Sequence, residues 1–476
     1  MIREDADTIC AIATATGRGG IGIVRLSGPK ALAIGELITG LTLQPRMATF
    51  VDMMSSSCEL IDSGIALYFM APHSFTGEDI VELQGHGSPQ ALKSLLEQCI
   101  ASGARLAAPG EFTERSFLNG KIDLLQAEAI ADLIDASSAQ AARSAMRTLK
   151  GVFSEKIHLL VKDITTIRVS VEAAIDFSDE DIDIMTGTGV ANALEIAKQH
   201  LAEVFQAAHQ GLVVKDGVTV VLVGAPNTGK SSLLNALAGT DTAIVTDIPG
   251  TTRDVIHQEI SLNGLPVHII DTAGMRVSED VVEQEGVKRA VSALNEADLI
   301  LLVADGTEYS SQEPGPILQT LFPGKYGNKA SDRETIFNEL PKLLPRLCVV
   351  FNKVDLIECS EPGVSSTCYQ DHAIKLFRLS AKTHDGLDDL KEHLTELAGY
   401  KNTGEGSFSA RGRHLKALSN AQESLENAIL GVSKRLHLEL IAEDLRQVQN
   451  YLGTITGEVS SDDLLGEIFS SFCIGK

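Results

Sequence analysis

Aromatic residues are scarce in this sequence, and tryptophan is absent. Only 4% of the 476 residues are aromatic, so base stacking on aromatic side chains would have to rely on few positions. Positive charge is also in deficit, since the formal net charge is −24. This balance excludes a protein that holds nucleic acid by general electrostatic attraction. Any contact with nucleic acid must be local or shared with a second protein.

Cysteine patterning and long apolar runs are lacking as well. The seven cysteines are an odd number with no CxxC pair, which excludes a disulfide framework and a zinc site of that type. The first residues, MIREDADTIC, do not combine a basic with an apolar segment, so we expect no secretory signal. Apolar runs such as Leu299 to Ala304 fall far short of the roughly 20 residues that span a bilayer. We expect a soluble, cytoplasmic protein without stable membrane insertion.

A glycine-rich stretch carries the clearest functional signal. The segment GAPNTGKS at 224–231 fits GxxxxGKS, follows the apolar run 218–223 and precedes a helical pattern at 231–237. A phosphate-binding loop needs this context, because it leaves a buried strand and opens a helix. Lys230 would reach the β and γ phosphates, and the hydroxyl of Ser231 would hold magnesium. The alternative is a chance glycine-rich turn.

Three further motifs follow in the order typical of GTPases. They are DTAG at 271–274, NKVD at 352–355 and SAK at 380–382, each after an apolar strand. Asp271 would support magnesium. The carboxylate of Asp355 can accept hydrogen bonds from N1 and N2 of guanine, which adenine cannot supply, so it would select GTP. The four motifs together predict a GTP hydrolase.

The hydrolytic apparatus departs from the Ras-like pattern. Met275 follows DTAG where those enzymes carry a water-orienting glutamine, so another group must supply catalysis. Asn227 and the polar segment 242–254 offer oxygens for a monovalent cation beside the β and γ phosphates. Such a cation could offset the charge that an arginine finger offsets elsewhere. The other interpretation of Asn227 is a side chain that structures the loop.

The first 118 or so residues mix strand and helix patterns. The GxGxxG match at 17–22 is followed by more strand pattern at 23–27, whereas a dinucleotide site requires a helix there. We therefore predict a hairpin or bulge at these glycines. The polar positions Glu82 and 85–87 could line a ligand site, although turns are the favoured interpretation.

Helical periodicity dominates the regions on both sides of the GTPase motifs. Apolar residues recur at helical spacing over 122–136 and 157–167, and again over 415–430 and 436–452. The economical arrangement is a GTPase domain inserted into a helical domain. The predicted domains are an N-terminal α+β domain at 1–119, a first helical half at 120–215, a Ras-like P-loop GTPase domain at 216–400 and a second helical half at 401–476. The fold class is α/β and α, multidomain.

Five further blocks lie outside the four nucleotide motifs, at 17–28, 74–87, 109–136, 248–254 (IPGTTRD) and 473–476 (CIGK). With those motifs, they resemble the MnmE (TrmE) family of tRNA uridine-modification GTPases. Assembly GTPases that share GTTRD lack the N-terminal blocks and the tail. Departures from the family pattern are Ala15-Thr16, Val354 and a long polar segment at 308–344 that we interpret as a surface insertion.

The resemblance implies a folate site and a homodimer formed by the N-terminal domain. The expected ligand is a one-carbon tetrahydrofolate, either the 5-formyl or the methylene derivative. Arg25, Glu82 and Lys121 match folate-contacting positions, and Lys476 adds another. Cys473, in the terminal CIGK, is either a catalytic thiol or a packed tail cysteine near the folate.

The resemblance also implies potassium activation of GTP hydrolysis. Asn227, Thr246, Ile248 and Thr251 would coordinate K⁺. Ser231 and Thr252 would hold Mg²⁺. The expected catalytic residues are Glu283, which would position the attacking water, Lys230 and Asn227. The expected nucleotide-binding residues are Asn227, Thr228, Gly229, Lys230, Ser231, Ser232, Thr246, Asp247, Ile248, Pro249, Gly250, Thr251, Thr252, Asp271, Thr272, Ala273, Gly274, Asn352, Lys353, Asp355, Ser380, Ala381 and Lys382.

The family's function supplies the expected partners. Its members work with an FAD-dependent, MnmG-type partner, in a heterotetramer or larger complex, on C5 of the wobble uridine of certain tRNAs. The group installed there is of the (carboxymethyl)aminomethyl type. Two alternatives remain open from the residues: a ribosome-assembly switch GTPase, and a folate enzyme with a regulatory GTPase insert.

Overall fold

A computed structural model describes most of the chain. The described residues are 7–176, 189–239, 256–262, 264–271, 292–309, 343–357, 361–369, 371–397, 408–434, 437–459 and 462–475. They fall into two compact units. The first comprises Met1–Ala131, Met146–Val204 and Lys416–Lys476, and the second comprises Asp132–Ala145 and Phe205–Leu415. Nearly all of the predicted insertion at 308–344 lies outside the described residues.

The N-terminal region forms a six-stranded sheet in the order β3-β4-β5-β2-β1-β6. Helices α1 and α2 cover one face, where their apolar residues pack against inward side chains such as Val24, Leu26 and Leu83. On the other face, Phe112 of α3 packs against β1. The elements are β1 (Ile9–Ile12), β2 (Gly19–Ser27), α1 (Ala31–Thr39), β3 (Thr49–Met54), β4 (Leu60–Phe69), β5 (Ile80–Gly87), α2 (Pro89–Ala101), β6 (Arg105–Leu106) and α3 (Glu111–Leu118).

The pairing of β2 with β5 runs through the glycines at 19–22 and 85–87. The register of β2 against β5 shifts between Gly19 and Gly22, which is the predicted irregularity at the glycine block. The interpretation of Glu82 and 85–87 as turn residues is wrong. These residues belong to β5 and pair with β2, because strand pairing continues through the glycines instead of ending before them.

Helices make up the rest of the first unit, as the periodicity predicts. The long helices α6 (Val152–Asp176) and α11 (Leu438–Thr456) pack closely. Fully or nearly fully buried residues at this contact are Ile157, Leu160 and Ile164 of α6 and Leu445 and Leu452 of α11. Parts of α4, α5 and α7 belong to the second unit. The elements are α4 (Leu124–Ile134), α5 (Ala139–Leu149), α6 (Val152–Asp176) and α7 (Gly189–Asp216) before the GTPase motifs.

The second unit is built on a seven-stranded sheet in the order β12-β13-β11-β10-β7-β9-β8. The five central strands are parallel, and the edge strands β8 and β12 are antiparallel to their neighbours. Apolar clusters cover both faces, which explains the continuous apolar runs in the sequence. The elements are β7 (Val218–Val223), α8 (Lys230–Ala238), β8 (Ile256–Leu262), β9 (Leu265–Asp271), β10 (Leu299–Asp305), β11 (Leu347–Asn352), β12 (Gly363–Tyr369), β13 (His372–Arg378) and α9 (Leu387–Leu397).

The C-terminal helices return the chain to the first unit. They are α10 (Gly412–Ser433), α11 (Leu438–Thr456) and α12 (Asp462–Ser470). The tail then reaches the N-terminal sheet: Ile474 forms a bridge with Pro109, and Gly110 N donates to the Cys473 carbonyl at 3.3 Å. A Cβ on Gly475 would lie 2.3 Å from the carbonyl oxygen of Ile12, so only glycine fits at that point. The mixed fold class predicted from the sequence is confirmed.

Candidate functional site: a P-loop and its base pocket

The GxxxxGKS segment connects β7 to α8, as expected of a phosphate-binding loop. Its lysine is already directed into the loop, because Lys230 Nζ donates to the carbonyl oxygens of Gly224 and Ala225, each at 2.8 Å. Ser231 is exposed in the first turn of α8. Its hydroxyl is therefore accessible at the positive end of the helix, where phosphate and magnesium would bind.

Asn227 has an unusual backbone conformation within this loop. Its φ is 66°, in the left-handed region, and its side chain is exposed. Asparagine tolerates this conformation better than other residues that have a Cβ. The structure therefore supports a structuring role for Asn227. The other three expected K⁺ ligands lie outside the described residues.

The base-recognition motifs meet at the carboxyl ends of β11 and β13. Asn352 is 2% exposed, and its side chain bridges two other motifs. Its Nδ2 donates to the Thr228 carbonyl at 3.0 Å, and its Oδ1 accepts from Ala381 N at 2.9 Å. A Cβ on Gly229 would lie 2.2 Å from Asn352 Nδ2, so this glycine makes the close approach possible. One side chain thus joins the P-loop, NKVD and SAK.

Asp355 lies in a short 3₁₀ turn, Val354–Leu356, that follows β11. Ser380 Oγ donates to Asp355 Oδ1 at 2.6 Å, and Ser380 Oγ in turn accepts from the backbone amide of Lys382 at 3.3 Å. The carboxylate is therefore oriented before any nucleotide binds. All the NKVD and SAK residues chosen from the sequence are brought together here.

Several expected site residues cannot be placed. Asp271 ends β9, and its backbone pairs with Leu222 of β7, two residues before the P-loop. The remaining expected residues lie outside the described part of the chain: Thr246, Asp247, Ile248, Pro249, Gly250, Thr251, Thr252, Thr272, Ala273, Gly274, Glu283 and Lys476. Met275 lies outside it too.

The expected folate residues Arg25 and Glu82 form an ion pair on the sheet face opposite α1 and α2. They are register partners in β2 and β5, and Arg25 Nη2 lies 2.8 Å from Glu82 Oε1. The guanidinium carbon lies 6.0 Å from the ring centroid of Phe75 and 5.8 Å from that of Phe112. These two cation–π contacts help to hold the partly exposed guanidinium of Arg25 beside the rings.

Lys121 and Cys473 lie on segments that border this pair. Lys121 Nζ donates to the Pro72 carbonyl at 2.9 Å, at the start of the loop that carries Phe75. Cys473 is exposed in the tail, and its carbonyl accepts from Gly110, which caps the helix of Phe112. The structure thus places Arg25, Glu82, Lys121 and the tail in one region.

Two sets of interactions were missed by sequence reasoning. Arg115 forms ion pairs with Asp7, Glu78 and Glu111, and these fix the loop beside the Arg25 site. Burial opposes ionisation of Glu111, but its bonds to Arg105, Ala108 N and Arg115 outweigh that and lower its pKa. In the GTPase unit, Lys353 of NKVD binds Asp305, 48 residues earlier. The Glu111–Arg115 pair has the i,i+4 spacing of helical ion pairs. No local pattern in the sequence marks the longer-range ion pairs of the two sets.

Within the described residues, no group of three or more His, Cys, Asp or Glu side chains is arranged to hold a metal. Over the same residues, no helix has the length and apolar character needed to cross a membrane.

Comparisons with known proteins cover the whole chain. A family model described as the MnmE helical domain matches residues 124–473, and one described as the GTP-binding protein TrmE N-terminus matches residues 8–121. The chain is 50% identical over 471 residues to the tRNA modification GTPase MnmE of Pseudomonas fluorescens strain Pf-5, covering 99% of each chain. It is 50% identical over 481 residues to the protein of the same name from Saccharophagus degradans, covering 100% of each.

Among solved structures, the G domain of the T. maritima FeoB iron transporter is 26% identical and covers 38% of this chain and 98% of its own, with a TM-score of 0.24. A probable GTP-binding protein engB is 22% identical over the same shares, also with a TM-score of 0.24.

Proposed function

Because the chain belongs to the MnmE (TrmE) family of tRNA modification GTPases, we propose that its GTP hydrolysis is activated by potassium and drives modification of C5 of the wobble uridine in certain tRNAs. A one-carbon tetrahydrofolate and an FAD-dependent, MnmG-type partner complete the reaction. The enzyme is a GTP hydrolase, and the proposal places it in the cytoplasm with its tRNA substrate.

The preassembled guanine pocket is the observation that supports the GTP-dependent part most directly. Asn352 joins three motifs, and Ser380 orients Asp355. A pocket already ordered in this way loses little conformational freedom when GTP binds. A ribosome-assembly switch would need the same pocket, but nothing in the described residues favours that alternative.

At the phosphate end of the site, positive charges would be placed beside the negatively charged phosphate oxygens. Lys230 lies ready at the P-loop carbonyls, where its ammonium can move onto the β and γ phosphates. Ser231, Thr252 and Asp271 are the proposed holders of Mg²⁺, which supplies positive charge to the phosphate oxygens when bound. Glu283 is proposed to position the attacking water, since Met275 cannot do so.

Potassium would add a second positive charge at the same place. Asn227, with its exposed amide oxygen, is the one proposed ligand within the described residues, and Thr246, Ile248 and Thr251 are the others. The charge would stabilise the transition state in the manner of an arginine finger.

Asn227→Gly is expected to remove potassium activation while the P-loop keeps its shape. Glycine adopts the φ of 66° at this position without strain, so the substitution deletes the amide oxygen and leaves the backbone unchanged. We expect kcat in KCl to fall at least about tenfold, to the rate seen in NaCl, with little change in GDP affinity. GTP turnover in matched KCl and NaCl buffers measures the effect.

Asn227→Ala provides the comparison, because alanine removes the oxygen and also strains the left-handed backbone. If Asn227 only structures the loop, Asn227→Gly keeps full potassium activation and only Asn227→Ala loses activity. Equal wild-type rates in potassium and sodium would refute the potassium proposal itself.

The Arg25–Glu82 pair supports the folate proposal. The partly exposed guanidinium lies 6.0 Å from the ring centroid of Phe75, which is 36% exposed. Together they offer charge and ring contact to a flat, anionic heteroaromatic ligand. Gln84 Nε2 donates to Glu82 Oε2 at 3.3 Å, which leaves the carboxylate able to accept from a pterin-type amine as well.

Arg25→Gln is expected to weaken binding of 5-formyl-tetrahydrofolate at least about tenfold, the cost of one charge-assisted contact. Calorimetric titration of the purified protein measures it. Potassium-stimulated GTP turnover should not change, because Arg25 lies in the other unit. Lys93→Gln, which removes an exposed cation from α2, is the control. Equal folate affinity in both variants would remove Arg25 from the site.

The edge hairpin of the N-terminal sheet supports the homodimer. Phe50 of β3 and its register partner Ile65 of β4 are 73% and 39% exposed, and Met47, three residues before Phe50, is 58% exposed. An apolar patch on an edge strand is a ready interface between two copies. Phe50→Glu is therefore expected to shift the dimer to monomer in light scattering, whereas Leu159→Glu on α6, 60% exposed, should leave it intact.

Nucleoside analysis of cellular tRNA tests the function as a whole. A deletion strain should lack the C5-modified wobble uridine, and the wild-type gene should restore it. Normal modification in the deletion strain would overturn the assignment. The net charge of −24 accords with a partner that carries much of the tRNA contact.

A further inference from the structure

The carboxyl end of β10 is bonded directly to the guanine-recognition motif. Lys353 Nζ donates to Asp305 Oδ2 at 2.6 Å. The other carboxylate oxygen, Oδ1, accepts from Thr307 N at 3.0 Å and from Thr307 Oγ1 at 2.7 Å. Gly306 N donates to the Asn352 carbonyl at 2.8 Å. Both oxygens of Asp305 are therefore occupied, and its orientation is fixed from its own loop.

Lys353 is held from its backbone as well. Its φ is 68°, a left-handed value that is unusual for lysine, and it caps the 3₁₀ turn that carries Asp355. The Lys353 and Asp305 side chains are 32% and 14% exposed. Burial opposes ionisation of Asp305, but the bonds from Lys353 and Thr307 prevail and lower its pKa. The pair is thus an ion pair shielded from much of the solvent.

A lysine side chain normally has large rotamer freedom, which it loses on burial or binding. With the ammonium anchored at Asp305, the four-carbon stem of Lys353 is fixed between β10 and the turn of Asp355. An ordered apolar stem beside the base-recognising carboxylate can pack on the face of a purine and its ribose. Ordering that stem in advance reduces the entropy cost of binding.

We propose that Asp305 is a positioning residue of the nucleotide site, which holds Lys353 in the conformation that receives the guanine nucleoside. This rests on the proposed GTP site and extends it to a residue outside the four sequence motifs. Asp305 acts through Lys353 and has no part in hydrolysis. Its effect therefore belongs to nucleotide affinity and not to the rate of the chemical step.

Asp305→Ala in the full-length protein is expected to raise KM for GTP and Kd for GDP about tenfold, with kcat at saturation within about twofold of wild type. Asp305→Asn, which retains an acceptor for Lys353, should recover part of the affinity. Because Asp305 acts through Lys353, the double variant Asp305→Ala/Lys353→Ala should bind GDP no more weakly than Lys353→Ala alone.

Asp298→Ala is the matched control. Asp298 lies just before β10, at the opposite end of the strand, and its carboxylate accepts from Thr219 N at 2.8 Å, so its loss perturbs the sheet away from the base pocket.

A lower kcat and Tm with unchanged KM in Asp305→Ala would overturn the proposal in favour of a structural role. Tighter GTP binding would overturn it too, since Asp305 would then compete with nucleotide for Lys353. Failure of the proposed function is separate: it would appear as normal tRNA modification in the deletion strain while the affinity change persists.

Discussion

Asp355→Asn is expected to abolish productive GTP binding and to create binding of xanthosine triphosphate. The carboxylate of Asp355 accepts from two guanine donors, N1 and N2. An asparagine amide offers one acceptor and one donor, which leaves a buried donor of guanine facing another donor. Xanthine has a carbonyl oxygen in place of the N2 amine, so it matches the amide. Sites built on such hydrogen bonds discriminate by about 10⁴-fold.

Asp355 is fixed before nucleotide binds, so its replacement is expected to have a large effect on GTP affinity. Ser380 Oγ donates to it at 2.6 Å, and its 3₁₀ turn is tied to β13 by Val354 N, which donates to the Leu379 carbonyl at 3.3 Å. We expect GTP affinity to fall by about three to four orders of magnitude. Competition binding with fluorescent GDP, GTP and xanthosine triphosphate measures the exchange.

Two variants separate base recognition from damage to the pocket. Asp355→Ala should lose GTP without gaining xanthosine triphosphate. Asp385→Asn changes a neighbouring carboxylate that accepts from Thr383 Oγ1 at 2.6 Å and should bind GTP normally. If Asp355→Asn keeps wild-type GTP affinity, Asp355 has no role in selecting the base.

The elements of this site could be predicted because each motif follows a continuous apolar strand. Parallel strands buried on both faces leave their carboxyl ends at one edge, and the P-loop, NKVD and SAK lie at that edge. The bridging role of Asn352 and the contact of Asp305 could not be predicted in this way. They depend on which strands are neighbours in the sheet order, and the sequence does not state that order.

The N-terminal sheet is a second case in which the local sequence did not predict the structure. Residues 85–87 carry two glycines and look like a turn, yet they extend β5. Pairing with β2 overrides the local preference, as tertiary context often does in strands. Periodicity likewise located the helices on both sides of the GTPase motifs, but it could not show that residues 132–145 group with the second unit.

Asp132 contributes side-chain contacts to that grouping. The residue lies near the end of α4, is 8% exposed and contacts both chain segments that connect the GTPase sheet to the helices. Ser409 Oγ donates to Asp132 Oδ2 at 2.6 Å, and Arg411 Nη2 donates to Oδ1 at 2.7 Å. Lys215 Nζ, three residues before β7, lies 3.7 Å from Oδ1. One carboxylate therefore joins the entry and the exit of the sheet.

Asp132→Ala is accordingly expected to cost about 3–5 kcal/mol in the stability of the second unit, the usual result of removing one partner from a buried ion pair. For a unit of this size the midpoint of its thermal transition should fall by roughly 10 °C. Asp132→Asn keeps an acceptor for Ser409 and should lose less. Calorimetry, with hydrogen exchange on β7 to identify the transition, measures both.

Asp135→Ala is the control, because Asp135 lies three residues further along the chain and is exposed, where a charge contributes little. A midpoint for Asp132→Ala equal to that of Asp135→Ala would contradict the prediction. It would mean that other contacts hold residues 132–145 in the second unit, such as the bond from Ser138 Oγ to the Gly264 carbonyl at 3.0 Å. That bond reaches the turn between β8 and β9. If it holds the segment, the double variant Ser138→Ala/Asp132→Ala should lose the stability that Asp132→Ala alone does not lose. Small effects of the two substitutions that simply add would exclude both contacts as what holds residues 132–145 in the second unit.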